Sequence, residues 1–98
     1  MMQMLTIETI TMAAATIASE FPITRIVLFG SYAEGKETPK SDVDLMIEFT
    51  TDVVSLLTLA EVKHRIEDIL EVPVDVIHAP IPEDALIFPR KVVELYAA

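Results

Sequence analysis

The stretch that most constrains this chain is an apolar run, Arg25-Ile26-Val27-Leu28-Phe29, that stops at Gly30-Ser31 and is followed, ten residues later, by Asp42-Val43-Asp44. The run is β-branched and aromatic and too short for a helix, which predicts a buried strand. Gly30 permits a sharp turn or a close backbone approach because it has no Cβ. Ser31 then offers a hydroxyl and an N–H, with a short helical turn able to begin there and Ser31 as its cap, in the manner of a phosphate cradle. Beyond it, Ser41-Asp42-Val43-Asp44-Leu45-Met46-Ile47-Glu48-Phe49 alternates polar and apolar residues, as a half-buried strand does.

Side chains on a strand repeat every two residues, so Asp42 and Asp44 leave by one face. Two carboxylates at ~5 Å repel by roughly 3 kcal/mol at an effective dielectric of about 20, enough to raise one pKa or to call for a cation. A divalent ion answers that demand. Magnesium takes oxygen ligands and is held by one or two carboxylates together with substrate phosphates, which suggests a metal–nucleotide site. Val72-Pro73-Val74-Asp75-Val76-Ile77-His78 is a further strand signal with one acid among apolar residues. A lone buried charge is costly, so Asp75 needs a partner. Pairing of this strand beside the Asp42/Asp44 strand, same face outward, brings three carboxylates together.

Gly30-Ser31, Asp42-Val43-Asp44 and Asp75 in its Val-Asp-Val-Ile context, over about Arg25 to His78, resemble the minimal nucleotidyltransferase family, small relatives of DNA polymerase β. The resemblance implies a nucleotidyltransferase fold, α/β (α+β), with a short mixed β-sheet packed with helices. It also implies a Gly30-Ser31 turn on a nucleoside triphosphate, Mg²⁺ (two ions) on Asp42 and Asp44, and Asp75 completing the metal site and activating the attacking hydroxyl. Members of this length pair with HEPN-domain proteins as antitoxins, and some transfer AMP from ATP to a tyrosine of the toxin. One position departs from the family pattern: Glu34 stands where many relatives carry arginine, as in Gly-Ser-x-Ala-Arg-Gly. A negative charge there leaves a second reading open, a weak or inactive module that neutralises a partner by association.

Ninety-eight residues suffice for one domain, 1–98, and leave no room for a separate acceptor-binding domain, so the acceptor is expected on another protein, in a homo- or hetero-oligomer. That also disfavours a small-molecule acceptor such as an aminoglycoside. The net charge of -9 argues against direct binding of nucleic acid. There is no apolar run of membrane-spanning length and no basic leader, and the absence of cysteine agrees with a cytoplasmic location. The hydrophobic share, 52%, is slightly above the usual range and fits equally an apolar contact surface or a well-filled core.

Around the motif, Ile7, Ile10, Ala14, Ile17 and Phe21 recur at three- and four-residue steps, predicting a helix from about Met4 to Glu20 that Pro22 closes. Asp52 or Ser55 can cap a second helix running to about Glu71, with Leu56, Leu59, Ala60, Ile66, Ile69 and Leu70 inward, an ion pair from Glu61 to Arg65, and a half-buried His64. After Ala79-Pro80-Ile81-Pro82-Glu83 a last helix, interrupted at Pro89, is expected, with Arg90 and Lys91 on its surface and Tyr96 packed. The expected order is helix, strand, motif loop, strand, helix, strand, helix.

Overall fold

In the computed structural model, residues 6–36, 38, 41–51, 53–78 and 92–98 are described. The chain forms helix α1 (Ile7–Glu20), strand β1 (Ile23–Phe29), the short helix α2 (Ser31–Glu34), strand β2 (Val43–Phe49), helix α3 (Leu56–Leu70), and strands β3 (Val74–His78) and β4 (Val93–Ala97). The four strands make one sheet in the order β3-β2-β1-β4, with β1 antiparallel to β2 and to β4, and β2 parallel to β3. The parallel step is possible because α3 supplies the crossover between β2 and β3.

Helix α1 starts where the Thr6 hydroxyl accepts the N–H of Thr9 at 3.1 Å. Its buried stripe is Ile10, Ala13, Ala14 and Ile17, while Ile7 is 37% exposed. Helix α3 is capped by Ser55, whose hydroxyl accepts the N–H of Thr58 at 3.1 Å, and it buries Val62, Ile66 and Leu70. These faces meet Ile26 and Leu28 of β1, Val43, Leu45 and Ile47 of β2, Val74 of β3 and Leu95 of β4 in one core. Phe49 joins that core and meets the His78 ring edge-on, with centroids 5.4 Å apart. Among the described residues, no helix is long and apolar enough to cross a membrane.

The structure corrects the expectations in several places. Val93–Ala97 is a strand, not part of a helix; the remainder of the expected last helix, including Pro89, Arg90 and Lys91, lies outside the described residues. The physical reason is the free second edge of β1. Val93, Glu94, Tyr96 and Ala97 pair with that edge, Val93 and Tyr96 being β-branched and aromatic, and the Glu94 carboxylate accepts from Arg25 Nε of β1 at 2.8 Å. A bulge opposite Ile26 and Val27 leaves Leu95 without a register partner, and Leu95 and Tyr96 both reach the core. In α3, Leu56 is 84% exposed instead of inward, and Val53 and Leu57 are exposed as well. Arg65 reaches not Glu61 but Glu20 of α1, donating from Nε and Nη2 at 3.0 Å each. His64 is exposed, with Nδ1 3.6 Å from Glu67 Oε1.

Both long helices pack against the same side of the sheet. Asp44, Met46 and Glu48 of β2 therefore emerge on the opposite side, between the buried Val43, Leu45, Ile47 and Phe49.

Candidate active site

The acids sit at one end of this second face. In the parallel β2–β3 ladder Asp44 is the register partner of Asp75, so their side chains emerge side by side from neighbouring strands. On the other flank Asp44 is opposite Phe29, the last residue of β1 before Gly30. The sequence signals thus meet in a line across three strands: the glycine turn, Asp44, then Asp75.

Gly30 has φ +76° and ψ -156°, a region open almost only to glycine. It also lies directly against Asp44. A Cβ added at Gly30 would come within 3.1 Å of Asp44 Cγ and 3.3 Å of its Cβ, and would collide with Oδ2. Local backbone requirement and site crowding therefore select the same residue. Gly30, and not Ser31, occupies the N-cap position of α2; Ser31 is its first helical residue. The Ser31 carbonyl accepts the N–H groups of Gly35 and Lys36, the latter at 2.9 Å, and Gly35 adopts the left-handed conformation that ends the turn. Tyr32 and Ala33 are buried, which fastens α2 to the core and fixes the turn over the acids.

Burial raises the Asp44 carboxyl above the ordinary range, with further increments from the negative charge of Asp75, that of Asp42 and a side-chain hydrogen bond with Asp75. Asp44 and Asp75 thus lie side by side. Asp42 is exposed and precedes β2 by one residue, where its charge still acts on Asp44. Asp75 is also exposed, so its access to an incoming group is open. Among the described residues no three His, Cys, Asp or Glu side chains close into a ready metal cage. The donor set nevertheless fits a hard cation: all ligands are oxygen, like charges crowd Asp44, and an ion such as Mg²⁺ completes its shell with water and phosphate.

Glu34 is half-buried at the end of α2, with Oε1 3.9 Å from Lys36 Nζ. Its negative charge therefore faces a lysine two residues on. Two residues that the sequence reading assigned no role here also position the site. Glu67 of α3 accepts the Val74 N–H through Oε2 at 3.0 Å, and the Pro73 carbonyl accepts the Val43 N–H at 3.0 Å. On a helix Glu67 carries no local signal for this contact, which only the crossover geometry reveals.

The model of the nucleotidyltransferase domain matches residues 11–96. This chain belongs to that family. It is 34% identical over 80 residues to the protein adenylyltransferase MntA of Thermococcus cleftensis, covering 78% of this chain and 80% of that protein. A candidate protein adenylyltransferase of Methanocaldococcus jannaschii is 36% identical over 61 residues, 62% of this chain; the match spans only 61% of that relative's length. Among solved structures, a toxin–antitoxin complex with AMP-PNP superposes with a TM-score of 0.72 at 17% identity, over 90% of this chain and 73% of that one. A complex of tri-AMPylated Shewanella oneidensis HEPN toxin with MNT antitoxin gives 0.67 at 16% identity, over 94% and 73%. At such identities the superpositions show a common fold, here the nucleotidyltransferase fold with its mixed sheet packed against helices.

Proposed function

We propose that this nucleotidyltransferase domain transfers AMP from ATP to a hydroxyl of a partner protein, and that the partner is a HEPN-domain toxin which the chain neutralises as antitoxin. The observation that carries the reading is the register of Asp44 beside Asp75 with Gly30 packed against Asp44. The names of its relatives as protein adenylyltransferases, and the HEPN toxin in the superposed complex, support the acceptor and partner.

Asp42, Asp44 and Asp75 would hold Mg²⁺, with two ions in the full site. Magnesium, when bound, supplies the positive charge that offsets the triphosphate and the departing pyrophosphate. The Gly30 turn packs directly against Asp44, and Ser31 contributes its hydroxyl and N–H at the same turn to the triphosphate. Asp75, the more open of the paired acids, accepts the proton of the acceptor hydroxyl as that oxygen bonds to the α-phosphorus and the bond to pyrophosphate breaks. Negative charge crowded around Asp44 is thereby put to use only when nucleotide and cation arrive together.

The test incubates the chain with its HEPN-type partner, α-labelled ATP and Mg²⁺. Label on the partner, lost in Asp42→Ala, supports transfer. Tight association without label, unchanged in Asp42→Ala, would instead favour a neutralising module, to which the acidic Glu34 beside the turn is suited.

A further inference from the structure

Helix α2 is a single turn, and the chain folds back where it ends. Gly35 takes the left-handed conformation, and the Lys36 N–H returns to the Ser31 carbonyl at 2.9 Å. The Lys36 backbone is thereby anchored to the residue that opens the turn beside Asp44, while its side chain is 77% exposed. Its ammonium meets Glu34 Oε1 only at 3.9 Å, the outer limit of an ion pair, and such a surface contact holds a side chain weakly. Beyond it, the Thr38 N–H donates to Ser41 Oγ at 2.8 Å and the Ser41 N–H to the Thr38 carbonyl at 2.9 Å, closing the loop that leads into Asp42. The other described arginines and lysines lie elsewhere: Arg25 is held by Glu94 near the start of β1, Arg65 by Glu20, and Lys63 stands in the middle of α3.

We infer that Lys36 binds the outer phosphates of the nucleotide and neutralises the departing pyrophosphate, with Glu34 as the resting partner of its ammonium. The inference rests on the transfer reading above. Direction decides it. The order across the strands is the Gly30 turn, Asp44, then Asp75, and the acceptor hydroxyl gives up its proton at Asp75. The attacking and leaving oxygens stand roughly in line in such a displacement, so attack from the Asp75 flank sends pyrophosphate toward the turn. The outer phosphates then meet α2, whose single turn rises about 5.4 Å, a distance that a lysine's four-carbon stem spans from the far end. Without Lys36 the triphosphate would meet no described cation of the protein at this turn, in a chain whose net charge is already -9. Glu34 then has a task compatible with transfer: it keeps the ammonium beside the turn until phosphate, the stronger partner, takes it.

Titration calorimetry on the full chain with Mg²⁺ measures the binding of AMP-PNP, which carries the outer phosphates, and of AMP, which lacks them. The expected result is that Lys36→Ala weakens AMP-PNP about fivefold or more, the size of a partly screened charge-assisted contact, and leaves AMP unchanged. Lys36→Arg recovers most of the loss, and Lys36→Glu exceeds it. At so exposed a position all three variants keep the wild-type melting temperature, which separates lost binding from lost fold. Equal AMP-PNP affinity in wild type and Lys36→Ala, or an equal loss for AMP and AMP-PNP, overturns the role of Lys36 while the transfer reading stands. Failure of the wild-type chain to bind AMP-PNP with Mg²⁺ overturns the transfer reading and the role of Lys36 with it.

Discussion

Glu67 and Val74 are joined by a 3.0 Å hydrogen bond from the Val74 N–H to the Glu67 carboxylate, one residue before Asp75. From the other side, the Pro73 carbonyl accepts the N–H of Val43, the residue before Asp44. The two acids are thus set in register by contacts made one residue upstream of each, and the end of α3 serves as a clamp on the third acid.

Replacing Glu67 by alanine should leave the Val74 N–H without its acceptor, at a cost of about 1–2 kcal/mol for a partly exposed, charge-assisted bond. Urea denaturation gives that number, and hydrogen exchange at Val74 should speed up. Glu67→Gln keeps a carbonyl oxygen at the same reach and should recover most of the stability. Equal losses in the two variants would mean that the carboxylate's charge, and not its hydrogen bond, matters.

The two glycines separate backbone strain from crowding. Both have positive φ, but the space around Gly35 is open, whereas Gly30 abuts Asp44. Gly35→Ala should cost about 1 kcal/mol from conformation alone. Gly30→Ala should cost about 2–4 kcal/mol and displace the Asp44 carboxylate, so AMP transfer should fall far more than in Gly35→Ala. Thermal unfolding beside an activity assay distinguishes them.

Much of this arrangement is legible in the chain because period-two alternation is unambiguous where one sheet face is buried. Val43, Leu45, Ile47 and Phe49 specify the face of Asp44, and the run from Val74 places Asp75 on a matching strand. The last element was misread because Val92, Val93 and Leu95 fit a helix until the unpaired edge of β1 is taken into account. Tertiary pairing there overrides a weak local pattern. The ion pair expected from Glu61 to Arg65 stays within α3, whereas Arg65 finds its partner on α1.

Helix α3 tests the corrected reading of its buried side. Leu56 is 84% exposed, so Leu56→Glu should change stability by no more than ~0.5 kcal/mol. Ile66 is 1% exposed and lies in the core, so Ile66→Ala should cost about 2–5 kcal/mol. A large loss in Leu56→Glu would show that the start of the helix is covered in solution.

Acid crowding around Asp44 makes a prediction with a definite sign. Burial, Asp75 and Asp42 raise its folded-state carboxyl above the ordinary value of 3.8, so protonation favours the folded form. The stabilising contribution is fully present below that ordinary value and is lost as pH rises through the elevated one. Metal-free protein should therefore lose stability over the window just above pH 3.8, by less than about 1 kcal/mol because Asp44 is only partly shielded from water. Asp44→Asn removes the titrating group and should flatten this part of the profile, making the metal-free variant slightly more stable than wild type at neutral pH while abolishing AMP transfer. Millimolar Mg²⁺ should raise the wild-type melting temperature at neutral pH and have a much smaller effect on Asp44→Asn, since a ligand stabilises only the fold that binds it. Thermal unfolding across pH, with and without Mg²⁺, measures all of these quantities. Identical pH slopes in the two proteins would show that the three acids do not interact strongly enough to need a cation.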